Sequence, residues 1–137
     1  MRRFLLTLAT AASTLAVTSC SDLTGVGGDV TGHYELRTID GQILPQTVPD
    51  EEFGTITVVY GEINLDDDGR FVDMYQFTTP GSSFVRMRDV AGTWEREGSE
   101  IRFDGDNGSL YFMERTSSNR LVYVDDDDGS RWGYDRF

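Results

Sequence analysis

The alternation of short apolar runs with turn residues constrains the fold of this chain more than any other feature. Between Thr31 and Phe137 there is a single alanine, Ala91, and no ten-residue window has apolar positions at helical spacing. Runs rich in Val, Ile, Thr and aromatic residues are instead separated by Gly, Asp, Asn and Pro, which is typical of strands joined by hairpin turns. The sequence therefore predicts an all-β domain with almost no helix.

We expect these runs to form about eight to ten antiparallel strands in an up-and-down meander. The predicted strands are Gly32–Ile39, Ile43–Val48, Thr55–Leu65, Arg70–Thr78, Ser83–Val90, Gly92–Glu97, Glu100–Asp104, Ser109–Arg115, Arg120–Asp125 and Ser130–Phe137. An open sheet of this size would leave two long unpaired edges, and closing it into a small barrel removes them.

The N-terminus has the features of an export signal. Arg2 and Arg3 precede an apolar and Thr/Ser run from Phe4 to Val17, which is too short for a stable transmembrane anchor. We predict that residues 1–19 are a signal peptide that is removed on export.

The residues around Cys20 resemble the bacterial lipobox. Val17, Thr18 and Ser19 supply an aliphatic residue and two small residues, and Cys20 is the only cysteine, so it has no disulfide partner within the chain. We expect Cys20 to be acylated, residues 20–30 to be a flexible tether and residues 31–137 to be the barrel domain. A lipid-anchored protein of the bacterial cell envelope follows, and Ser21 favours the outer membrane, with the domain facing the periplasm or the cell surface.

The charge of the chain excludes several partners. The formal net charge is −12, and it becomes −14 when residues 1–19 are removed, because they hold Arg2 and Arg3 but no acid. Nucleic-acid binding needs a basic face, so we expect no nucleic-acid partner. The chain also contains no lysine, which excludes a Schiff-base lysine and a Walker lysine.

Two blocks of the sequence resemble a family of small bacterial lipocalin-like lipoproteins. The first is the stretch from Gly32 to Pro45, with the pattern G-x-Y-x-L-x-x-x-x-G-x-x-L-P, and the second is Gly92-Thr93-Trp94 followed by Ile101-Arg102-Phe103. The resemblance implies a lipocalin-like up-and-down barrel and says little about activity. Classical lipocalins have a tryptophan on the first strand under an arginine from the last strand.

This chain departs from the classical pattern at the first strand. It has Tyr34 there, and its tryptophan Trp94 lies in the middle of the chain. Arg131 or Arg136 is the candidate arginine partner from the last strand.

Aromatic side chains are the candidates for ligand contacts. A barrel of about eight strands either is filled by its own side chains or holds one small ligand, and both alternatives stay open. For a cavity, we predict that a small hydrophobic ligand contacts Tyr60, Tyr75, Trp94 and Phe112.

Three acidic clusters follow predicted strands, at Asp66–Asp68, Asp104–Asp106 and Asp125–Asp128. Asp and Asn before Gly are favoured in hairpin turns, but carboxylates at this spacing are also Ca²⁺ ligands. The candidate calcium ligands are Asp104, Asp106, Asp125 and Asp127. If residues 83–97 form one strand, the second and third clusters fall at one end of the barrel.

No sequence motif indicates an enzyme. His33 is the only histidine, and nothing near it completes a catalytic triad or a zinc site. We therefore expect a non-enzymatic protein with no obligatory cofactor, apart from the calcium alternative. The first hypothesis is an envelope module that binds a small hydrophobic ligand, and the second is an envelope interaction protein with a filled barrel, acidic loops and an unidentified protein partner.

Overall fold

The computed structural model describes residues 29–137, which form ten β-strands and no helix. The strands are β1 Gly32–Ile39, β2 Gln42–Ile43, β3 Gln46–Asp50, β4 Gly54–Leu65, β5 Arg70–Thr78, β6 Arg86–Glu97, β7 Glu100–Gly105, β8 Leu110–Ser117, β9 Arg120–Val124 and β10 Arg131–Arg136. The predicted signal peptide, Cys20 and most of the predicted tether lie outside the described residues. Within residues 29–137 no helix is long and apolar enough to cross a membrane.

The strands form one antiparallel sheet in the order β2-β1-β10-β9-β8-β7-β6-β5-β4-β3. Strand β1 also pairs with β4, through Gly32 to Glu35 against Glu62 to Leu65. This pairing closes eight strands into a barrel and leaves β2 and β3 as two additional strands. The prediction of an all-β barrel with about eight to ten strands is confirmed.

The barrel wall splits where β1 and β4 stop pairing. Beyond Glu35, β1 pairs with β2, and the first half of β4 pairs with β3, from Gln46 to Asp50. The sequence prediction of one strand over 43–48 is therefore wrong, because the chain turns at the cis Leu44–Pro45 bond and the two short strands join opposite edges. The end of the barrel with this split is called the open end below.

Strand β6 is one continuous strand, although the sequence predicts two over the same region. Its first part, from Arg86 to Thr93, pairs with β5, and its second part, from Gly92 to Glu97, pairs with β7. Where the two pairings overlap, a Cβ atom on Gly92 would lie 2.0 Å from the Asp104 carbonyl oxygen. Only glycine allows the two backbones to approach this closely, which accounts for the first residue of the Gly92-Thr93-Trp94 motif.

Alternation along the strands fills most of the barrel interior. Tyr34, Leu36, Ile63, Ile101 and Met113 point inward and are almost completely buried. The Phe71 and Phe103 rings meet edge to face with centroids 5.0 Å apart, and Phe103 stacks on Tyr111 at 4.9 Å. Such aromatic pairs stabilise a core beyond the burial of their area.

The end opposite the split is called the closed end, because its turns are tied to neighbouring strands. Each of three hairpin turns accepts a backbone hydrogen bond from the strand after the hairpin. The bonds are Trp94 N to Gly69 O (2.8 Å), Arg115 N to Ser99 O (2.7 Å) and Arg136 N to Asn119 O (2.7 Å). This arrangement leaves the closed end without a gap between successive hairpins.

The segment before β1 covers the closed end. Val30 is buried and its carbonyl accepts a hydrogen bond of 2.8 Å from the Tyr34 hydroxyl. The Arg136 guanidinium lies 6.0 Å from the centre of the Tyr34 ring and donates to the carbonyls of Asp29 and Thr31. Of the two arginines considered from the sequence, Arg136 therefore packs on the first-strand aromatic residue.

Candidate functional site

A cleft of about 620 Å³ lies at the open end of the barrel. It is bordered on one side by β3 and the turn to β4, and on the other by the turn between β9 and β10. Among residues 29–137, neither of these two turns makes a backbone hydrogen bond to a neighbouring hairpin. The cleft therefore forms where the wall of the barrel splits and the turns stand apart.

The floor of the cleft is aromatic and aliphatic. Tyr75 of β5 and Trp132 of β10 meet edge to face with ring centroids 5.5 Å apart, and Val48 and Ile56 line the same space. The Trp132 indole N–H donates to the Ser130 hydroxyl at 2.9 Å, which fixes the orientation of the ring. Apolar walls with a few placed polar groups are typical of small-molecule sites.

Arg88 of β6 is the basic residue in the wall of the cleft. Its guanidinium donates to Asp50, to Glu52 at 2.9 Å and to the Tyr75 hydroxyl at 3.1 Å. The hydrogen bond from Arg88 lowers the pKa of the Asp50 carboxyl, and the same bond raises the pKa of Arg88. The positive charge is thus already paired within the chain and holds the β3 to β4 turn against β6.

The rim of the cleft is strongly acidic. Carboxylates from two turns face the space, and these rim carboxylates are Asp50, Glu51, Glu52, Asp125, Asp127 and Asp128. Because Arg88 is paired with Asp50 and Glu52, the remaining carboxylates give the cleft an excess of negative charge. Such a field attracts cations and disfavours anionic ligands.

A buried carboxyl lies below the floor of the cleft. Asp73 is two residues before Tyr75 on β5, so both side chains point into the barrel. Its Oδ2 accepts a hydrogen bond of 2.8 Å from the Tyr111 hydroxyl, and its buried Oδ1 has no partner among residues 29–137. Burial raises the pKa of Asp73 to about 6.

Tyrosines surround the Asp73 carboxyl. Burial, followed by the effect of the Asp73 charge, raises the pKa of Tyr111 and of Tyr134. Burial also raises the pKa of Tyr123, to about 12, and that of Tyr75. These four hydroxyls are neutral at physiological pH, so none of them supplies a positive charge to an ionised Asp73.

The structure places the four predicted ligand contacts in different surroundings. Tyr75 lines the cleft, whereas Tyr60 lies on the outer face of β4 and donates to Glu62 at 2.6 Å. Trp94 lies at the closed end, where its indole N–H donates to the Asp66 carbonyl at 3.1 Å. Phe112 points outward from β8, is 43% exposed and borders a shallow outer groove with Val122 and Val124.

The four predicted calcium ligands are also divided between two places. Asp125 and Asp127 lie on the rim of the cleft. Asp104 forms an ion pair of 2.8 Å with Arg102, and Asp106 forms one of 3.0 Å with Arg70. Within residues 29–137, no three His, Cys, Asp or Glu side chains are arranged to hold a metal ion.

The single β6 strand explains the position of the Asp106 turn. The turns after β7 and β9 both follow strands that run toward the open end, as the sequence analysis predicts for one strand over 83–97. However, β7 pairs only with the second part of β6, so its turn lies beside the start of β5, where Arg70 reaches Asp106. Counting strands along the sequence gives the direction in which a strand runs, but not which residues of the neighbouring strand it pairs with.

The comparisons with known proteins give one structural match to report. The crystal structure of the Cpx pathway activator NlpE from Escherichia coli matches this chain with a TM-score of 0.45 and 14% sequence identity. The match covers 69% of this chain and 42% of that chain, so this chain spans less than half the length of NlpE. No protein-family model and no curated protein sequence matches the chain.

The sequence analysis missed Asp73, Arg88 and Trp132 as residues of the site. Asp73 has a signal in the sequence, because it occupies the inward parity of β5 between Phe71 and Tyr75. Arg88 has none, since its partner Asp50 is 38 residues away and meets it only across the barrel.

Proposed function

We propose that this chain is a lipid-anchored module of the bacterial cell envelope that binds a small ligand in the cleft at its open end. The proposed ligand has an apolar ring or chain and is neutral or positively charged. We propose a binding role and not a catalytic one. The sequence around Cys20 supports the lipid anchor, and the cleft supports the binding role.

The observation that carries the binding proposal is the combination of floor and rim in one open space. Tyr75 and Trp132 offer two aromatic rings set edge to face, whereas the buried rings of Phe71 and Phe103 fill the opposite half of the barrel. A ligand ring placed on Trp132 would bury apolar area, which stabilises complexes by about 25 cal/mol per Å². The carboxylates of the rim select against anions.

The two tryptophans of the chain allow a direct test, because Trp132 lies at the open end and Trp94 at the closed end. We would titrate the full chain, purified in detergent, with 2-phenylethanol and 2-phenylethylamine and follow tryptophan fluorescence. We expect the response to disappear in Trp132→Phe and to remain in the matched control Trp94→Phe. A response that persists in Trp132→Phe, or no response in the wild-type chain, would refute binding in the cleft.

The lipid anchor is tested separately from the cleft. Cys20→Ser removes the thiol that would be acylated, so we expect the protein to be released from membranes or to remain unprocessed. Fractionation of cells and the mass of the mature N-terminus measure this outcome. Membrane retention of a processed Cys20→Ser protein would contradict the anchor.

The acidic rim favours a second candidate function. We propose as the alternative that the two rim turns bind Ca²⁺ or a cationic segment of a protein partner. Asp125 and Asp127 face Asp50 and Glu52 across the cleft, and bound cations would offset their mutual repulsion. We expect calcium, but not magnesium, to raise the melting temperature of the wild-type chain. The melting temperature of Asp127→Asn is expected to stay unchanged when calcium is added. Equal shifts in both proteins would contradict this alternative.

A further inference from the structure

The Asp73 carboxyl is the polar group inside the barrel whose hydrogen bonding is incomplete. Its Oδ2 is held by Tyr111, and its Oδ1 is buried without a partner among residues 29–137. A buried carboxylate oxygen without a donor costs free energy and is uncommon in folded proteins. The position therefore calls for a donor that the described part of the chain does not supply.

Part of the surface of Asp73 and of Tyr111 remains accessible. Both side chains point into the barrel and each residue is only partly buried, whereas Phe71 and Phe103 are almost fully buried. The interior is therefore less tightly filled at Asp73 and Tyr111 than at these two phenylalanines.

The distance from the cleft to Asp73 is short. Tyr75 forms part of the cleft floor, and Asp73 is the next inward residue on the same strand, about 7 Å away along β5. A ligand whose ring lies on Trp132 and Tyr75 would need a two-carbon arm to bring a donor group to Asp73. Because Tyr75 lines the cleft and Asp73 does not, the arm has to pass beside the Tyr75 ring to reach the carboxyl.

The side chains around Asp73 determine which kind of ligand donor group suits its carboxyl. Tyr111 donates to Asp73, and Tyr75, Tyr123 and Tyr134 lie close enough to interact with its charge. A carboxylate with neutral aromatic neighbours suits a protonated amine, because the ammonium group donates to the carboxylate and aromatic rings attract cations. The acidic rim attracts the same charge at the entrance.

We propose that Asp73 binds the ammonium group of a small primary amine whose apolar ring rests on Tyr75 and Trp132. This inference rests on the proposed function, since it names the ligand class of the same cleft. Asp73 is the specificity-determining residue, Tyr111 is the positioning residue that holds Oδ2, and Oδ1 accepts from the ligand.

The test compares three probes of nearly equal shape by isothermal titration calorimetry at pH 8. These are 2-phenylethylamine, 2-phenylethanol and 3-phenylpropionate, titrated into the full chain in detergent. We expect the amine to bind at least about tenfold more tightly than the alcohol, and the anion to bind least. A tenfold difference corresponds to about 1.4 kcal/mol, which is the size of one charge-assisted hydrogen bond.

Two substitutions locate the preference for the amine. Asp73→Asn keeps an acceptor for Tyr111 and removes the charge, so we expect the preference to fall below about threefold while the alcohol binds as before. Asp89→Asn is the matched control, because Asp89 is exposed on the outer face of β6. We expect it to leave all three affinities unchanged.

The possible failures are distinguishable. If Asp73→Asn keeps the preference and Asp127→Asn removes it, the rim selects the amine, and the inference about Asp73 is overturned while the proposed function survives. Equal affinities for amine and alcohol in the wild-type chain overturn the inference in the same way. If none of the three probes binds, the proposed function and the inference fail together.

Discussion

The two ends of the barrel are built from the same strands but differ in how their turns are held. At the closed end, the turns at Gly69, Ser99 and Asn119 each accept a backbone hydrogen bond from the next hairpin. At the open end, the turns that border the cleft lack such bonds among residues 29–137, and Arg88 with its carboxylate partners holds one of them. Backbone bonds from the following strands therefore hold these three closed-end turns, whereas side chains hold the turn between β3 and β4 beside the cleft.

Because of this difference, we expect the closed end to contribute more to stability and the open end to contain the binding site. Buried side chains and turn-to-strand bonds at the closed end make cooperative contacts, and local opening is expected where such contacts are fewer. The open end places the aromatic floor of the cleft beside turns that lack such bonds among residues 29–137. The predictions below test this division, beginning with the largest effect.

Position 92 of β6 is expected to tolerate no side chain. In Gly92→Val the added Cβ would collide with the Asp104 carbonyl at 2.0 Å, so β6 and β7 cannot both keep their pairing. We expect a loss of about 4 kcal/mol or more in the free energy of unfolding, measured by urea titration. The control Ala91→Val places the same branched side chain one residue earlier and is expected to cost much less. Equal losses would mean that the close approach to Asp104 is not what requires glycine.

The second prediction concerns Asp73, between the two ends. Its pKa is raised to about 6 by burial, above its value in the unfolded chain. The folded protein therefore holds the proton more tightly, and its stability falls as the pH rises from about 4 to about 6 and then levels off. Asp73→Asn lacks this loss, so we expect it to be more stable than the wild type at pH 8 by up to about 3 kcal/mol.

Urea titrations of both proteins at several pH values between 4 and 8 measure this difference. The remaining carboxylates titrate in both proteins and cancel in the comparison. A stability difference that stays constant across this range would contradict the raised pKa of Asp73.

The third prediction applies the same chemical change at both ends. Tyr34→Phe removes the buried hydroxyl that donates to the Val30 carbonyl, so we expect a loss of about 1–2 kcal/mol. Tyr75→Phe removes a hydroxyl that accepts from Arg88 beside the open cleft, where water replaces it, so we expect a loss below about 0.5 kcal/mol. Thermal or urea unfolding of the two variants measures both losses. A larger loss for Tyr75→Phe than for Tyr34→Phe would contradict the difference between the two ends.

The smallest expected effect is at an exposed ion pair. Arg70 and Asp106 join the starts of two neighbouring hairpins at 3.0 Å, with both side chains largely exposed. Exposed pairs contribute little, so Arg70→Gln is expected to change stability by less than about 0.5 kcal/mol. If the variant is less stable than the wild type by more than this, and high salt removes the difference between the two proteins, the pair helps to fix the register of β7.

Strand boundaries were predicted best where alternation and turn residues agree. The bounds of β1 and β5 match the prediction, since each has clear period-two alternation and a glycine or Asp-Gly turn beside it. The predicted strands over 43–48 and 83–97 differ from the observed ones. At Leu44–Pro45 the chain turns between two short strands that join opposite edges of the sheet, and at Gly92 one strand continues while paired with neighbours on both sides. A local pattern does not contain the partner strands, so it does not show where one strand ends and the next begins.

The site was less predictable than the fold for the same reason. Tyr75 was identified because it lies on an alternating aromatic strand, but Tyr60 and Phe112 have the same composition signal and face outward. Which face points inward depends on bulges such as the register shift between Val58 and Tyr60. The pairing of Arg88 with Asp50 depends on how the four neighbouring strands from β3 to β6 are assembled, which the local sequence does not contain.

The closed end also determines how the molecule would stand on a membrane. The chain enters the barrel there, where Arg136 binds the carbonyls of Asp29 and Thr31. If Cys20 is acylated as predicted, the nine residues from Ser21 to Asp29 can span at most about 30 Å. The closed end would then face the lipid, and the cleft would open away from it, toward solutes in the surrounding aqueous compartment.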